Sequence, residues 1–255
     1  MTVAIEELTM NAWPAGQTAA HGGWLLRLAE GFTKRANSVH PLYAGAETAE
    51  SMQRKIETCE AFYQRAGQDT IFKLTPFAPA GLDCTLEERG YVLQDPSRVM
   101  MLGDLTLLRL PAKNEPGIAV ECEDRLTYSW LDLMCGFNGI PSCQEGSAAR
   151  IMHAITMKTG YFTLHAHGIP AACGLAVIEG DYVGLYDIVT ASSFRNQGIG
   201  ERLILHMLQW AGKNGASRSY LQVVQNNAPA NRLYAKLKYE ELYPYWYRVK
   251  QRNLH

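Results

Sequence analysis

Apolar residues recur at helical intervals between 46 and 66, where Met52, Ile56, Cys59 and Tyr63 share one face of an otherwise polar segment. That spacing predicts an amphipathic helix with one buried side. Ile204, Met207, Leu208 and Ala211 repeat the pattern and predict a second such helix, running through Trp210. Short apolar runs bounded by turn residues read as strands at 23–28, 36–39, 70–74 and 99–110, and again at 161–165, 171–179, 182–190 and 221–224. Further helices are expected at 3–10 and near 84–89, 126–136, 145–159 and 226–238. The result is an α/β (α+β) chain with mixed central sheets flanked by helices.

The proline and polar run from Pro111 to Gly117 reads as a linker, which predicts two domains, 1–112 and 117–255. The two halves echo each other. In the first, a strand at 71–74, a proline-containing turn and a helix lead to Gly90, Tyr91, Val92 and Leu93. In the second, a strand at 221–224, a proline-containing turn and a helix lead to Lys238, Tyr239, Glu240 and Glu241. The first half therefore reads as a degenerate copy of the second.

Charge and composition narrow the partners. Lys and Arg total 24 against 25 Asp and Glu in 255 residues, so no basic field recommends nucleic acid or an anionic membrane, and small molecules are expected instead. The six cysteines show no C-x-x-C pair and no zinc-type spacing with histidine, which suits reduced structural thiols. His165 and His167 share one face of a strand, but a pair without a third ligand predicts no metal. Glu6 and Glu7 interrupt the start of the chain where a signal peptide needs an apolar core, and no run approaches a membrane span. A cytoplasmic location is the expectation.

The chemistry concentrates at Phe194-Arg195-Asn196-Gln197-Gly198-Ile199-Gly200, which follows the strand at 182–190 and opens the helix through Trp210. A strand, a glycine turn and a helix N-terminus together present free backbone amides to an anion, and Arg195 adds a positive charge. A dinucleotide fingerprint would need Gly or Ala at 203, where Leu203 stands, and a Walker loop would need a Gly-Lys-Ser/Thr that is absent.

The pattern R-x-x-G-x-G after a strand instead resembles the turn of the GNAT family of acyl-CoA-dependent N-acetyltransferases, where it holds the coenzyme A pyrophosphate. Downstream, Asn227, Ala230, Leu233 and Tyr234 resemble the family's second signature, N-x-x-A-x-x-L-Y. The Gly-Phe pair that usually follows is replaced by Lys238 and Tyr239, so the helix must be closed without glycine. The opening segment, with Gly-Trp-Leu-Leu-Arg at 23–27 and Arg-Ala-Asn-Ser-Val at 35–39, is similar to two-domain members of the family, which implies a tandem GNAT fold. The turn that should match R-x-x-G-x-G in the first half reads His40-Pro41-Leu42-Tyr43-Ala44-Gly45, which implies one coenzyme site per chain.

What the resemblance implies is transfer of an acetyl group from acetyl-CoA to a primary amine, of a small molecule for preference, by direct attack. Pyrophosphate would rest on Arg195, Asn196, Gln197, Gly198, Ile199, Gly200 and Glu201. The pantetheine arm would pair with backbone at Val189 and Thr190, the amide near Val189 serving as oxyanion donor. Tyr234 is the general acid for the thiolate, although its spacing also suits a core tyrosine. Asn227 and Asn231 would touch the cofactor or cap the helix. Asp187 is the candidate base, with strand alternation leaving open which face it shares with the cleft. Trp24, Arg27, Arg35 and Asn37 qualify as pocket residues only for a cleft between domains, and the aromatic run 243–247 either lines an acceptor pocket or packs a sheet. The rival readings are a non-catalytic acyl-CoA sensor or docking module, and a transferase for longer acyl chains or protein amines. Edge strands in either half leave a homo-oligomer open.

Overall fold

In the computed structural model, residues 2–43, 45, 47–108 and 116–252 are described. The expected linker at 111–117 therefore lies largely outside the described residues. By their contacts the residues form two compact units: Met1–Arg98 with Val224–Asn226 and Tyr243–His255, and Val99–Val223 with Asn227–Leu242. Contact rather than chain order defines them, so the last strand of the chain is counted with the first unit.

The first unit opens with α1 (Thr2–Asn11), β1 (Gln17–His21), β2 (Trp24–Leu28) and β3 (Val39–His40), followed by α2 (Ala49–Arg65), β4 (Thr70–Leu74), α3 (Leu82–Glu88) and the start of β5 (Val92–Leu102). Its sheet runs β1-β2-β3-β4, with the last strand of the chain antiparallel to β4, Trp246 facing Leu74. Met52, Ile56, Cys59 and Tyr63 of α2 are all buried against Trp24, Leu26 and Phe72, as the helical spacing requires. β1 has too weak an apolar pattern to announce itself. The Gly22-Gly23 pair, both at positive φ, makes the tight hairpin turn that pairs it with β2.

The candidate pocket residues of this unit are structural. Trp24 is fully buried and meets Phe72 edge to face at 5.8 Å. Arg27 donates to the carbonyls of Met10, Trp13 and Arg35, tying α1 and the following loop to β2. Asn37 accepts from the amides of Ala29 and Gly31 and donates to the carbonyls of Phe32 and Thr33, so one side chain organises the 29–33 loop. Arg35 lies over the Trp13 ring at 4.6 Å. The buried Glu6 of α1 accepts from Lys73 of β4 at 2.6 Å and from Tyr243 at 2.7 Å. The aromatic run likewise packs a sheet: Tyr243, Tyr245 and Tyr247 are buried, and Arg248 is locked by Asp83 and Glu87.

The second unit holds β6 (Ile118–Glu123), α4 (Tyr128–Asn138), α5 (Ser142–His153), β7 (Lys158–Ala166), β8 (Ile169–Glu179), β9 (Tyr182–Thr190), α6 (Ile199–Lys213), β10 (Arg218–Val224) and α7 (Ala228–Lys236), and the chain closes with β11 (Glu240–Lys250). β6 to β9 form an antiparallel meander, and α6 carries the chain over to β10, which lies parallel to β9. α5 stops at His153 rather than near 159. Gly160 explains the early strand, since a Cβ there would lie 2.7 Å from the Phe162 ring and 3.1 Å from Trp210. The core joins Phe162, Leu164, Leu185, Leu221 and Val223 to Leu203, Ile204, Met207, Leu208 and Ala211 of α6. Among the described residues no helix is long and apolar enough to cross a membrane.

The two helices that echo each other in sequence close alike. α3 closes with Gly90 at φ 83°, its amide on Glu87 O and that of Tyr91 on Leu86 O, while α7 closes with Lys238 on Ala235 O and Tyr239 on Tyr234 O. Both are six-to-one caps that need a left-handed residue. Lys238 supplies it at φ 66°, where a Cβ is strained. Lys238→Gly is therefore expected to raise stability by about 0.5–1 kcal/mol, measured by denaturant melting. Glu6→Gln would strand the Lys73 charge in a buried site, and a loss of about 3–5 kcal/mol is expected in the same assay.

Candidate active site

α6 begins on bare amides. Its N-cap is Gly198 at φ 76°, with no side-chain cap, and Asn196 just before it is also left-handed at φ 61°. The first amides of a helix have no intrahelical partners, and here no side chain stands in. The sequence sets this up, because Gly198 takes the positive φ at no cost and Gly200 lets α6 approach β9 and α7 closely. A Cβ on Gly200 would lie 3.1 Å from Thr190 Oγ1 and 3.6 Å from Leu233. The turn is braced from outside: Gln197 Nε2 donates to Ser193 O, Arg202 Nη1 to Gln197 O, and Arg195 Nε to Thr190 O at 3.3 Å.

The helix that the expected repeat would pair with α6, α2 of the first unit, is built the other way. Thr48 Oγ1 accepts from the Ser51 amide at the start of α2, and the Glu47 carboxylate lies there too, bonded to Ser51 Oγ and Lys55. An anion meets a capped amide and a negative charge at that end.

A groove of about 620 Å³ leads from the α6 N-terminus along β9. Ile188, Val189 and Thr190 form one wall, Arg195, Asn196, Gly198, Ile199, Gly200 and Glu201 the end at the α6 N-terminus, and Asn227 and Tyr234 the α7 side. β9 is bulged there. Its partner register with β8 jumps from Leu175↔Tyr186 to Cys173↔Val189, and Asp187 within the jump has φ 47°. A bulge bends its strand and re-aims side chains, so the last residues of β9 turn into the groove. β10 stays paired with β9 from Arg218↔Tyr182 to Leu221↔Leu185.

Tyr234 is 8 % exposed, and burial pushes its phenol up to about 12. Its ring meets Tyr239 at 5.9 Å. Glu201 puts a carboxylate at the α6 N-terminal end of the groove, where Lys236 of α7 pairs with it at 2.6 Å. Asn227 caps α7 through the Ala230 amide, and Asn231 donates back to Asn227 O. Asn227 thus borders the groove while Asn231 is held to its own helix. Asp187 lies outside the groove lining, close enough to Cys135 and Cys173 to act on both. Burial, followed by negative charges that include Asp187, raises those thiols to about 11 and about 12. Asn138 at the end of α4 also borders the groove, with Phe194 and Leu233. The Asn138-Gly139 helix end was the only sequence signal for it.

The two histidines of β7 and its turn separate in space. His165 remains on β7, and His167 turns at φ 52° to lie against Gly117. Among the described residues no group of three His, Cys, Asp or Glu side chains is placed to hold a metal.

Comparison with known proteins shows the family. Residues 3–248 match the family described as "Probable histone acetyltransferase Rv0428c C-terminal". The chain is 31% identical over 248 residues to the uncharacterized N-acetyltransferase YobR of Bacillus subtilis, covering 97% of this chain and 98% of that protein. Among solved structures, a GCN5-related N-acetyltransferase from Kribbella flavida superposes with a TM-score of 0.76 at 15% identity, covering 100% of this chain and 97% of that one. A tandem GNAT protein from the clavulanic acid biosynthesis pathway superposes at 0.68 with 13% identity, covering 98% and 88%. The chain belongs to the Rv0428c C-terminal family, and its fold is that of the GNAT N-acetyltransferases.

Proposed function

We propose that this N-acetyltransferase moves an acetyl group from acetyl-CoA to a primary amine of a small molecule by direct attack. The observation that carries the reading is one continuous groove that joins the bare α6 N-terminus to the bulged end of β9 and the Tyr234 phenol. Acetyl-CoA would supply an activated thioester. The amides from Gln197 to Glu201 would hold its diphosphate, with Arg195 adding charge. Val189 and Thr190 would offer backbone to the amide-rich arm, and the Val189 N–H would face the developing oxyanion.

Tyr234 suits the role of acid. A phenol raised to about 12 keeps its proton throughout the neutral range and can give it to a departing thiolate. Asp187 remains the candidate base; because it does not line the donor groove, it would reach the amine from the other face of the sheet or through water. The raised thiols of Cys135 and Cys173 stay protonated, which speaks for direct attack over a cysteine intermediate. The catalytic machinery would thus lie within 117–255, and 1–112 would be the degenerate copy whose helix end is already capped.

Calorimetric titration with acetyl-CoA should give one site per chain, and Arg195→Ala should weaken it by about three- to tenfold. Two equivalent sites, or an unchanged affinity, would contradict these assignments. Tyr234→Phe should lower kcat by about 10- to 100-fold and leave acetyl-CoA affinity unchanged. The same acid sets a pH limit: only its protonated form serves, so the wild-type kcat profile should show no alkaline decline assignable to Tyr234 below about pH 10.

A further inference from the structure

β10 carries a side chain that the fold itself does not satisfy. Leu221 and Val223 face α6 in the core, so alternation turns Tyr220 and Gln222 to the opposite face of the sheet. There Tyr186 OH donates to Tyr220 OH at 3.0 Å, the two rings fitting over Gly184, where a Cβ would lie within 2.7 Å of both. Gln222 is the next residue outward on that face. Its amide is closed to solvent, yet neither Nε2 nor Oε1 has a hydrogen-bond partner among the described residues. A carboxamide left in this state costs free energy in the unliganded protein.

Its position suggests what completes it. The ladder between β9 and β10 ends at Leu221↔Leu185, one residue before Gln222, and β9 bulges away at Asp187. Gln222 therefore stands where the two strands part, on the face away from α6, and it does not line the groove assigned to the donor. The cation on this face of β10 is Arg218, engaged at the far end of the strand with the Tyr182 hydroxyl and Asp181. The ionised group near the parting is the Asp187 carboxylate.

We propose that Gln222 binds the acceptor, Oε1 accepting from the attacking amine and Nε2 donating to a neutral oxygen beside it. The acceptor class is then a primary amine with an adjacent amide or hydroxyl, in preference to one with an adjacent carboxylate, which the negative charge of Asp187 at the parting would repel. The inference rests on the acetyltransferase reading above and specifies its second substrate.

The test compares the full chain with Gln222→Met, which keeps the shape and removes the amide, and with Gln222→Glu, which keeps an acceptor but no donor. Glycinamide, propylamine and glycine serve as probe amines with acetyl-CoA. The wild type should show kcat/KM for glycinamide about tenfold or more above that for propylamine and for glycine. Gln222→Met and Gln222→Glu should each bring the glycinamide-to-propylamine ratio close to one. Gln222→Met should also bind acetyl-CoA as the wild type does and melt, without ligand, at an equal or higher temperature, because no contact is lost.

A melting temperature lowered by several degrees in Gln222→Met would show a structural role and overturn the proposal. So would a wild type without the glycinamide preference, or a preference that survives both substitutions. Failure of the wild type to bind acetyl-CoA would instead remove the reading on which the proposal stands.

Discussion

Everything at the site depends on a helix that starts without a cap. Most helices satisfy their first amides with a serine, threonine or aspartate side chain, and α2 of the same chain does so through Thr48. α6 starts on Gly198 with nothing in that place, and an unmet cluster of donors at the positive end of a helix dipole is stable only in water or against an anion. The cost to the free protein is modest because the end is solvent-facing. In the proposed complex a diphosphate would take the place of that water.

Two further features shape the groove that the proposal assigns to the donor. Gly200 keeps α6 close to Thr190 and Leu233, which fixes the amides relative to β9. The bulge at Asp187 turns Ile188, Val189 and Thr190 toward that end while the ladder to β10 gives out at Leu221. The groove is thus a consequence of how β9 is held, firmly by β8 on one side and over only part of its length by β10 on the other. Tyr234 is positioned by the close of its own helix: its carbonyl receives the Tyr239 amide in the cap made by Lys238. Backbone geometry at a strained lysine and the orientation of the proposed acid are therefore linked.

Much of this was legible in the residues. The apolar faces of α2 and α6, the glycine turn and its arginine, and the N-x-x-A-x-x-L-Y helix depend on local spacing, and local spacing is what a sequence displays. β1 was missed because Gln17–His21 carries little apolar pattern and owes its conformation to a Gly-Gly hairpin and to pairing with β2. Trp24, Arg27 and Asn37 suggested a pocket because their chemistry suits one. Burial and backbone partners, which no spacing reveals, make them props for α1 and the 29–33 loop. Alternation alone could not orient Asp187, since the bulge breaks the period of two at that residue. Gln222 gave no signal at all, because an unmet amide is a property of the packed state.

The central claim is that the α6 turn, and not the matching helix end of the first unit, holds the coenzyme. It is tested most directly by following backbone amide chemical shifts of the labelled protein during titration with coenzyme A. Saturable shifts should be largest at Gln197 to Glu201, extend to Val189 and Thr190, and leave Ala49 to Ser51 at the start of α2 unmoved. Shifts centred on the α2 terminus, or none that saturate at the α6 turn, would contradict the account.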